Sequence, residues 1–404
     1  MEKGRMTNRV AKRMTTLSPS LTLAISAKAK AMKAAGENVI SFGVGEPDFN
    51  TPETIINAAK AALDAGYTKY TPSSGVLPLR KAICEKFKKD NGLDYEPSQI
   101  IVSNGAKHSI FNACYAVLDE GDEVIIPTPY WLTYPEVVKV CGAVPKYLVC
   151  PKENKYKFTA AELKAAITPK TKMLIFNSPS NPTGAVYNEE EVRAIAKVCE
   201  EAGIFVLADE IYEKLCYNGV KPFSIAKCSD KMKDLTITVN GVSKTYAMTG
   251  WRVGYLAAPK DVAKAIDSFQ SHATSNASSI SQYATIEALN MSEEVIADMV
   301  GVFAKRREKI LQLIEGIKGV KAVTPDGAFY VMLVVDGLYG KGYKGKAITN
   351  SIEFADTLLE AEKVATVPGV SFGADDCVRL SYALSEADIE EGLKRIKTFV
   401  NELV

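Results

Sequence analysis

Histidine is nearly missing from this chain. Only His108 and His272 occur, neither in a metal-ligand spacing, which leaves metal centres and Ser-His nucleophilic chemistry without their usual groups. Net charge is nearly missing too. The 49 Lys and Arg residues against 48 Asp and Glu leave +1, which argues against electrostatic capture of nucleic acid or an anionic membrane. No apolar run approaches the roughly 20 residues that a membrane span needs. The basic stretch Met1 to Arg13 is not followed by the apolar core and small-residue cleavage site of a secretory signal, so a cytoplasmic protein is expected. No Cys-x-x-Cys pair exists among the eight cysteines. Cys84, Cys114, Cys141, Cys150, Cys199, Cys216, Cys228 and Cys377 are scattered as buried thiols in a reducing compartment would be, not as a disulfide or zinc framework.

What the chain does have is the composition of a soluble globular protein, with 47% hydrophobic and 24% charged residues among 404, enough for two domains. Apolar strands read over Gln99 to Ser103, Glu123 to Ile126, Val144 to Leu148, Lys172 to Phe176 and Ile204 to Ala208. Between them lie helical stretches ending at Leu118 and spanning Tyr134 to Gly142, Ala160 to Ile167 and Glu189 to Ala202. This alternation predicts a mostly parallel sheet covered by helices, with ligand groups at the carboxyl ends of the strands. Further helices are predicted over Ala24 to Ala35, Leu77 to Asn91 and Glu293 to Ile317, and near the end over Ala347 to Ala361 and Glu386 to Leu403. Pro52 to Ala65 reads as a helix with Thr51 as N-cap. The Gly337 to Gly345 loop reads as flexible.

The most informative stretch runs from Thr236 to Ala258, a strand, a loop and a strand with only two charged residues, Lys244 and Arg252. Both are cations. Enclosed cations need an anion or must lose their charge, so an anionic ligand is expected beside Arg252 and chemistry at Lys244. A lysine held as an imine to a phosphorylated cofactor meets both demands. Other signals agree. Asn104-Gly105-Ala106 links a strand to a helix start, a natural phosphate cradle. Lys107, in the first helical turn, opposes the helix dipole and therefore needs another reason to be there. Asp209 ends a buried strand and needs a cationic or donor partner, while Arg379, inside the strand around Cys377-Val-Arg-Leu-Ser, needs an anion or water. Trp131, Asn181 and Tyr212 follow strand ends; Gly45 lies in a Gly/Pro turn, Gly43-Val-Gly-Glu-Pro-Asp.

Ser243-Lys244 followed by Met-Thr-Gly-Trp-Arg252-Val-Gly-Tyr resembles the lysine region of fold type I pyridoxal-phosphate (PLP) aminotransferases. Matching motifs continue along nearly the whole chain in that family's order, and they are most similar to the prokaryotic-type aspartate aminotransferases of subgroup Ib. The resemblance implies an α/β fold with a mostly parallel seven-stranded sheet in a large domain (residues 50–300) and a smaller α+β domain (1–49 with 301–404). It implies that Lys244 carries PLP and acts as base and acid. Asp209 would face the pyridine nitrogen, Tyr212 and Asn181 the 3-oxygen, and Trp131 the ring. Ser243, Arg252 and the Gly105-Ala106 backbone would hold the phosphate, together with Tyr70 reaching from a second subunit of a homodimer, and Lys107 would be a further cofactor-binding residue. For substrate, the resemblance assigns the α-carboxylate to Arg379, a backbone approach to Gly45, further contacts to Trp131 and Asn181, and the distal carboxylate to Lys107 and Thr22. The implied activity is transfer of the amino group of L-aspartate to 2-oxoglutarate by ping-pong turnover, with prephenate as a further substrate. Its alternative is a PLP-dependent aminotransferase or lyase acting on aromatic or neutral amino acids. A DNA-binding regulator on this fold would carry an extra segment, for which the stretch before Met14 leaves no room, and a pseudoenzyme would lack Lys244 or Asp209.

Overall fold

The structure, a computed structural model, describes residues 9–19 and 21–404, with the backbone alone at Leu23. Residues 1–8 of the basic N-terminal stretch, and Ser20 beside Thr22, lie outside the described residues. Seven strands form one sheet in the spatial order Ile100–Ser103, Gly254–Ala257, Thr236–Gly241, Phe205–Asp209, Thr171–Asn177, Glu123–Thr128, Val144–Val149. Six of them run in one direction and Gly254–Ala257 runs in the other, antiparallel to both its neighbours, Ile100–Ser103 and Thr236–Gly241. The expected mostly parallel sheet is therefore present. Ile100–Ser103, Thr236–Gly241 and Gly254–Ala257 are buried along their whole length, because helices cover both faces. Val144–Val149, at the edge, leaves Val144, Tyr147 and Val149 exposed.

Local sequence explains several helix ends. Asn188 and Glu191 form a capping box at the start of Glu189–Ala202, and Gly203 closes that helix in the left-handed region with φ 68°. Two expectations need correction. Pro52, not Thr51, is the N-cap of Glu53–Asp64, and no side chain caps it. Thr51 is held by longer-range partners: its hydroxyl donates to the Ala247 carbonyl (2.7 Å) and accepts from Trp251 Nε1 (3.0 Å). The second concerns Leu77 to Asn91, where the α-helix ends at Lys86 and continues as a π-helical turn, Phe87–Asn91. The Gly337–Gly345 stretch contributes to a hairpin, Gly342–Tyr343 against Lys346–Ala347, that exchanges backbone hydrogen bonds with Val404.

A second, antiparallel sheet is ordered Val367–Pro368, Cys377–Ser381, Tyr330–Val334, Lys321–Ala322. Its core joins Ile40 and Phe42, near the start of the chain, to apolar residues from Met299 to Leu403 and to Ile211, Tyr212, Leu215 and Tyr217 beyond the end of the Phe205–Asp209 strand. The strand ends of the large sheet are thereby roofed by the second one.

The antiparallel strand explains how Arg252 reaches the others. Because Gly254–Ala257 runs backwards, it starts at the edge where its neighbours end, so Gly254 sits opposite both Ser103 and Gly241. The helix Ala106–Val117 begins hard against it: a Cβ at Gly254 would lie 2.1 Å from the Ala106 nitrogen. Gly254→Ala should lower stability by about 1–3 kcal/mol through overpacking. Urea unfolding that shows a lower midpoint at unchanged slope checks this; an unchanged midpoint would contradict the close approach.

Candidate functional site

At the carboxyl ends of these strands lies a cavity of about 550 Å³. It is lined by Thr22, Gly45, Ala106, Lys107, Trp131, Asn181, Asp209, Tyr212, Ser243, Lys244, Arg252 and Arg379, so residues far apart in sequence meet as the motifs suggested. Two named residues do not line it. Gly105 is the N-cap of the helix behind it, and Tyr70 lies on the surface, 90% exposed.

Gly105 holds φ 87°, and a Cβ there would meet Arg252 Nη2 at 2.3 Å, so glycine lets the guanidinium close on the helix start. No side chain caps that helix, and its first N–H groups remain available at a positive dipole end. Arg252, itself in the left-handed region at φ 55°, donates among the described residues only to the carbonyls of Thr249 (2.8 Å) and Asn104 (3.3 Å). Ser243, Arg252 and this helix start form a cationic, donor-rich cradle that suits a phosphate.

Asp209 is 3% exposed. Its carboxylate accepts from Tyr134 Oη (2.7 Å) and from the Ile211 N–H (3.2 Å), which orient it, while burial raises its pKa to about 6 against the opposing pull of those two bonds and of the Lys244 charge. The required donor is thus Tyr134, which the sequence reading missed. Asn177 was missed as well; it donates to the Asp209 carbonyl (2.9 Å) and accepts from the Asn181 N–H (2.9 Å), tying two strand ends together.

Lys244 donates to the Gly45 carbonyl at 2.6 Å. Burial lowers its pKa to about 8; Glu46 and Asp209 resist this shift, and Arg379 and Arg252 add to it. Glu46, another missed residue, lines the cavity and accepts from Thr249 Oγ1 at 2.7 Å. Arg379, 3% exposed, donates to Asn181 Oδ1 (3.0 Å) and the Gly43 carbonyl (3.1 Å) and lies over the Tyr330 ring at 4.4 Å. Its Nε has no partner, and no carboxylate pairs with it among the described residues. Tyr330, from the antiparallel sheet, also shares a hydrogen bond with Tyr212 across 3.0 Å between hydroxyls.

Lys107 projects over Trp131, 4.9 Å from the ring centroid, with no carboxylate partner among the described residues. Desolvation, then the Arg252 charge, loosens its proton. The Thr22 hydroxyl is buried at the same cavity without a hydrogen-bond partner among the described residues. The signal for the missed residues is faint, since Tyr134 and Tyr330 read as core aromatics and Glu46 as a turn residue.

A cavity at the ends of a mostly parallel sheet, holding an enclosed lysine, a buried carboxylate and an anion cradle, defines a site built for a phosphorylated cofactor. The chain belongs to the family of class I and II aminotransferases, whose family model matches residues 37–396, and these enzymes depend on pyridoxal phosphate. It is similar to proteins named aspartate aminotransferase, from Bacillus subtilis (strain 168) at 50% identity over 98% of this chain and 99% of that one. An aspartate/prephenate aminotransferase from Cereibacter sphaeroides is 44% identical over 94% of this chain and 96% of its own. Among solved structures, the aspartate aminotransferase of Rhizobium meliloti superposes with a TM-score of 0.95 at 43% identity, covering 98% of this chain and 100% of that one. That of Thermus thermophilus, solved with maleate, gives 0.91 at 40%, covering 96% and 99%. The fold is therefore that of fold type I.

The lowered pKa of Lys244 has a sign that can be measured. An ordinary lysine is mostly protonated below about pH 10.4, whereas Lys244 should expose free amine from about pH 8 upwards. Labelling of the cofactor-free chain with an amine-reactive reagent, mapped by peptide mass, should show Lys244 reacting with a midpoint near 8. A midpoint like that of the surface lysines would contradict the desolvated environment.

Proposed function

We propose that this chain moves the amino group of L-aspartate to 2-oxoglutarate, giving oxaloacetate and L-glutamate, in two half-reactions. The observation that carries this reading is the pair of cations without carboxylate partners among the described residues, Arg379 and Lys107, that line one cavity with Lys244. Two separated cations suit a substrate with two carboxylates. The relative solved with maleate, a small dicarboxylate, supports the same choice.

The residues present fit the cofactor on chemical grounds, since the cradle is cationic, the enclosed lysine holds its proton less tightly than an ordinary one and the Asp209 carboxylate accepts only two donors among the described residues. Bound PLP supplies an aldehyde that joins amines covalently and a ring that accepts electrons from the substrate's α-carbon. Ser243, Arg252 and the Gly105-Ala106 backbone hold its phosphate. Asp209, oriented by Tyr134, holds a proton at the ring nitrogen; Tyr212 and Asn181 serve the 3-oxygen, and Trp131 covers the ring. Arg379 clamps the α-carboxylate through its guanidinium fork, beside the Gly45 backbone. Lys107 and Thr22 take the distal carboxylate. Lys244 would serve as base and then acid, taking the proton from the substrate's α-carbon, a role that the desolvation of its amine favours. As a point charge with rotatable donors, Lys107 tolerates varied substrate shapes. That tolerance, with the aspartate/prephenate relative, supports prephenate as a second substrate.

The reading extends to assembly. Residues 50–300 form the cofactor-binding domain, and 1–49 with 301–404 the smaller one. The chain works in the cytoplasm as a homodimer in which Tyr70, exposed here, reaches its neighbour's phosphate site. No helix among the described residues is long and apolar enough to cross a membrane. Sedimentation should show a dimer at working concentration, and Tyr70→Phe should weaken cofactor retention; a fully active monomer would rule out shared sites.

Purified enzyme should show activity with aspartate and glutamate as donors, and with oxaloacetate and 2-oxoglutarate as acceptors, far above alanine or phenylalanine. Borohydride trapping should place the cofactor on Lys244. Lys107→Ala should lower kcat/KM for dicarboxylic donors by about 2–3 kcal/mol more than for alanine, the scale of a lost charged hydrogen bond. Equal losses on both donor classes would overturn the dicarboxylate assignment.

A further inference from the structure

One short loop, Gly43 to Phe49, meets the site at three points. The Gly43 carbonyl accepts from Arg379 (3.1 Å), the Gly45 carbonyl from Lys244 (2.6 Å), and Glu46 from Thr249 (2.7 Å). Backbone carbonyls can hold two functional cations at once only if the loop itself is held. Its far end is anchored by an ion pair. Both oxygens of Asp48 accept from Arg306, Nη1 at 2.7 Å and Nη2 at 2.9 Å, the parallel two-bond geometry that guanidinium allows and ammonium does not.

Arg306 belongs to the long helix Glu293–Glu315 and is 8% exposed. Its guanidinium lies over the rings of Phe49 (5.5 Å) and Phe303 (5.8 Å), which pack edge to face. Nε has no partner among the described residues, so Asp48 supplies the compensation for this buried charge. The pair therefore welds the loop to a rigid helix at one defined angle.

We propose that Arg306, acting through Asp48, is a positioning residue that fixes the Gly43–Phe49 loop so that its carbonyls meet Lys244 and Arg379 together. The proposal rests on the aminotransferase reading above. Loosening the loop withdraws the Gly45 acceptor and the Glu46 anion from Lys244, leaving Arg379, Arg252 and Asp209 as the other charges that face it. The protonated form of the lysine nitrogen then loses support. It also lets Arg379 shift against the substrate's α-carboxylate, and a displacement of about 1 Å at a reacting centre costs up to ~100-fold.

The test uses the holoenzyme with Arg306→Lys, Arg306→Gln, Asp48→Asn and the double variant Asp48→Asn/Arg306→Gln. Three quantities are measured: the melting temperature, kcat and KM for aspartate, and the spectrophotometric pH titration of the cofactor–Lys244 linkage. Expected are a KM raised about 10- to 100-fold with a smaller fall in kcat, and a titration midpoint moved to lower pH. Arg306→Lys should restore part of both, and the double variant should be no worse than Arg306→Gln. Ile396, fully buried in the C-terminal helix Glu386–Asn401 and in the same core as Phe303, supplies the comparison: Ile396→Ala should lower the melting temperature without moving either readout. If the clamp variants behave like Ile396→Ala, Arg306 is only structural and the proposal is wrong. Should the Gln and Asn variants fail to fold, Arg306→Lys decides by the same criteria. The linkage titration needs cofactor binding but no turnover, so an inactive wild-type enzyme would overturn the aminotransferase reading while leaving the clamp decidable.

Discussion

Uncompensated positive charge is the constraint on which this structure turns. Lys107, Lys244, Arg252 and Arg379 line one cavity, against the carboxylates Glu46 and Asp209. A fold would not gather such groups for its own stability, because each enclosed cation loses hydration that only a partner can replace. The arrangement holds because backbone carbonyls, from Gly43, Gly45, Asn104 and Thr249, take up part of the charge with partial negative ends. Carbonyls orient a cation without neutralising it. The charge that remains is what attracts an anionic cofactor and an anionic substrate.

Sheet topology decides where those cations can stand. Parallel strands deliver Asn104, Asn177, Asp209 and Ser243 to one edge, and the single reversed strand delivers Arg252 to the same edge from the opposite chain direction. The second sheet then brings Arg379 and Tyr330 over that edge on adjacent antiparallel strands, with Arg379 opposite Met332. Tyr330 links the two units chemically, sharing a hydrogen bond with Tyr212 and lending its ring face to Arg379.

Lys244 and Arg252 were legible in the sequence because they are the only two charges between Thr236 and Ala258, and Asp209 because it ends a strand, Ile204 to Ala208, that is otherwise apolar. The resemblance supplied Thr22, Gly45, Trp131, Asn181 and Arg379, and the cavity unites them. Tyr134 was not legible. Its bond to Asp209 spans 75 positions, and a tyrosine in an amphipathic helix has the same pattern as any core aromatic. Thr51 failed for a related reason: the local capping rule was sound, but partners near positions 247 and 251 outcompeted it. Pairings of this kind depend on how distant segments pack, which periodicity does not encode. Arg306 is the extreme case: nothing in five consecutive charges, Lys-Arg-Arg-Glu-Lys, marks which of them is buried, yet Arg306 is buried on Asp48, 258 positions away.

The cation-lined cavity also bears on how long each copy of the protein survives. Anything that binds the folded chain and not the unfolded one shifts the equilibrium by mass action, by about 2.7 kcal/mol when its concentration is a hundred times its dissociation constant. An anion seated between Arg252 and the helix start, or beside Arg379, binds only where the folded sheet has assembled those groups. Proteases act mainly on transiently opened molecules. Cellular abundance of this chain would therefore follow the supply of its vitamin-derived cofactor at a constant rate of synthesis.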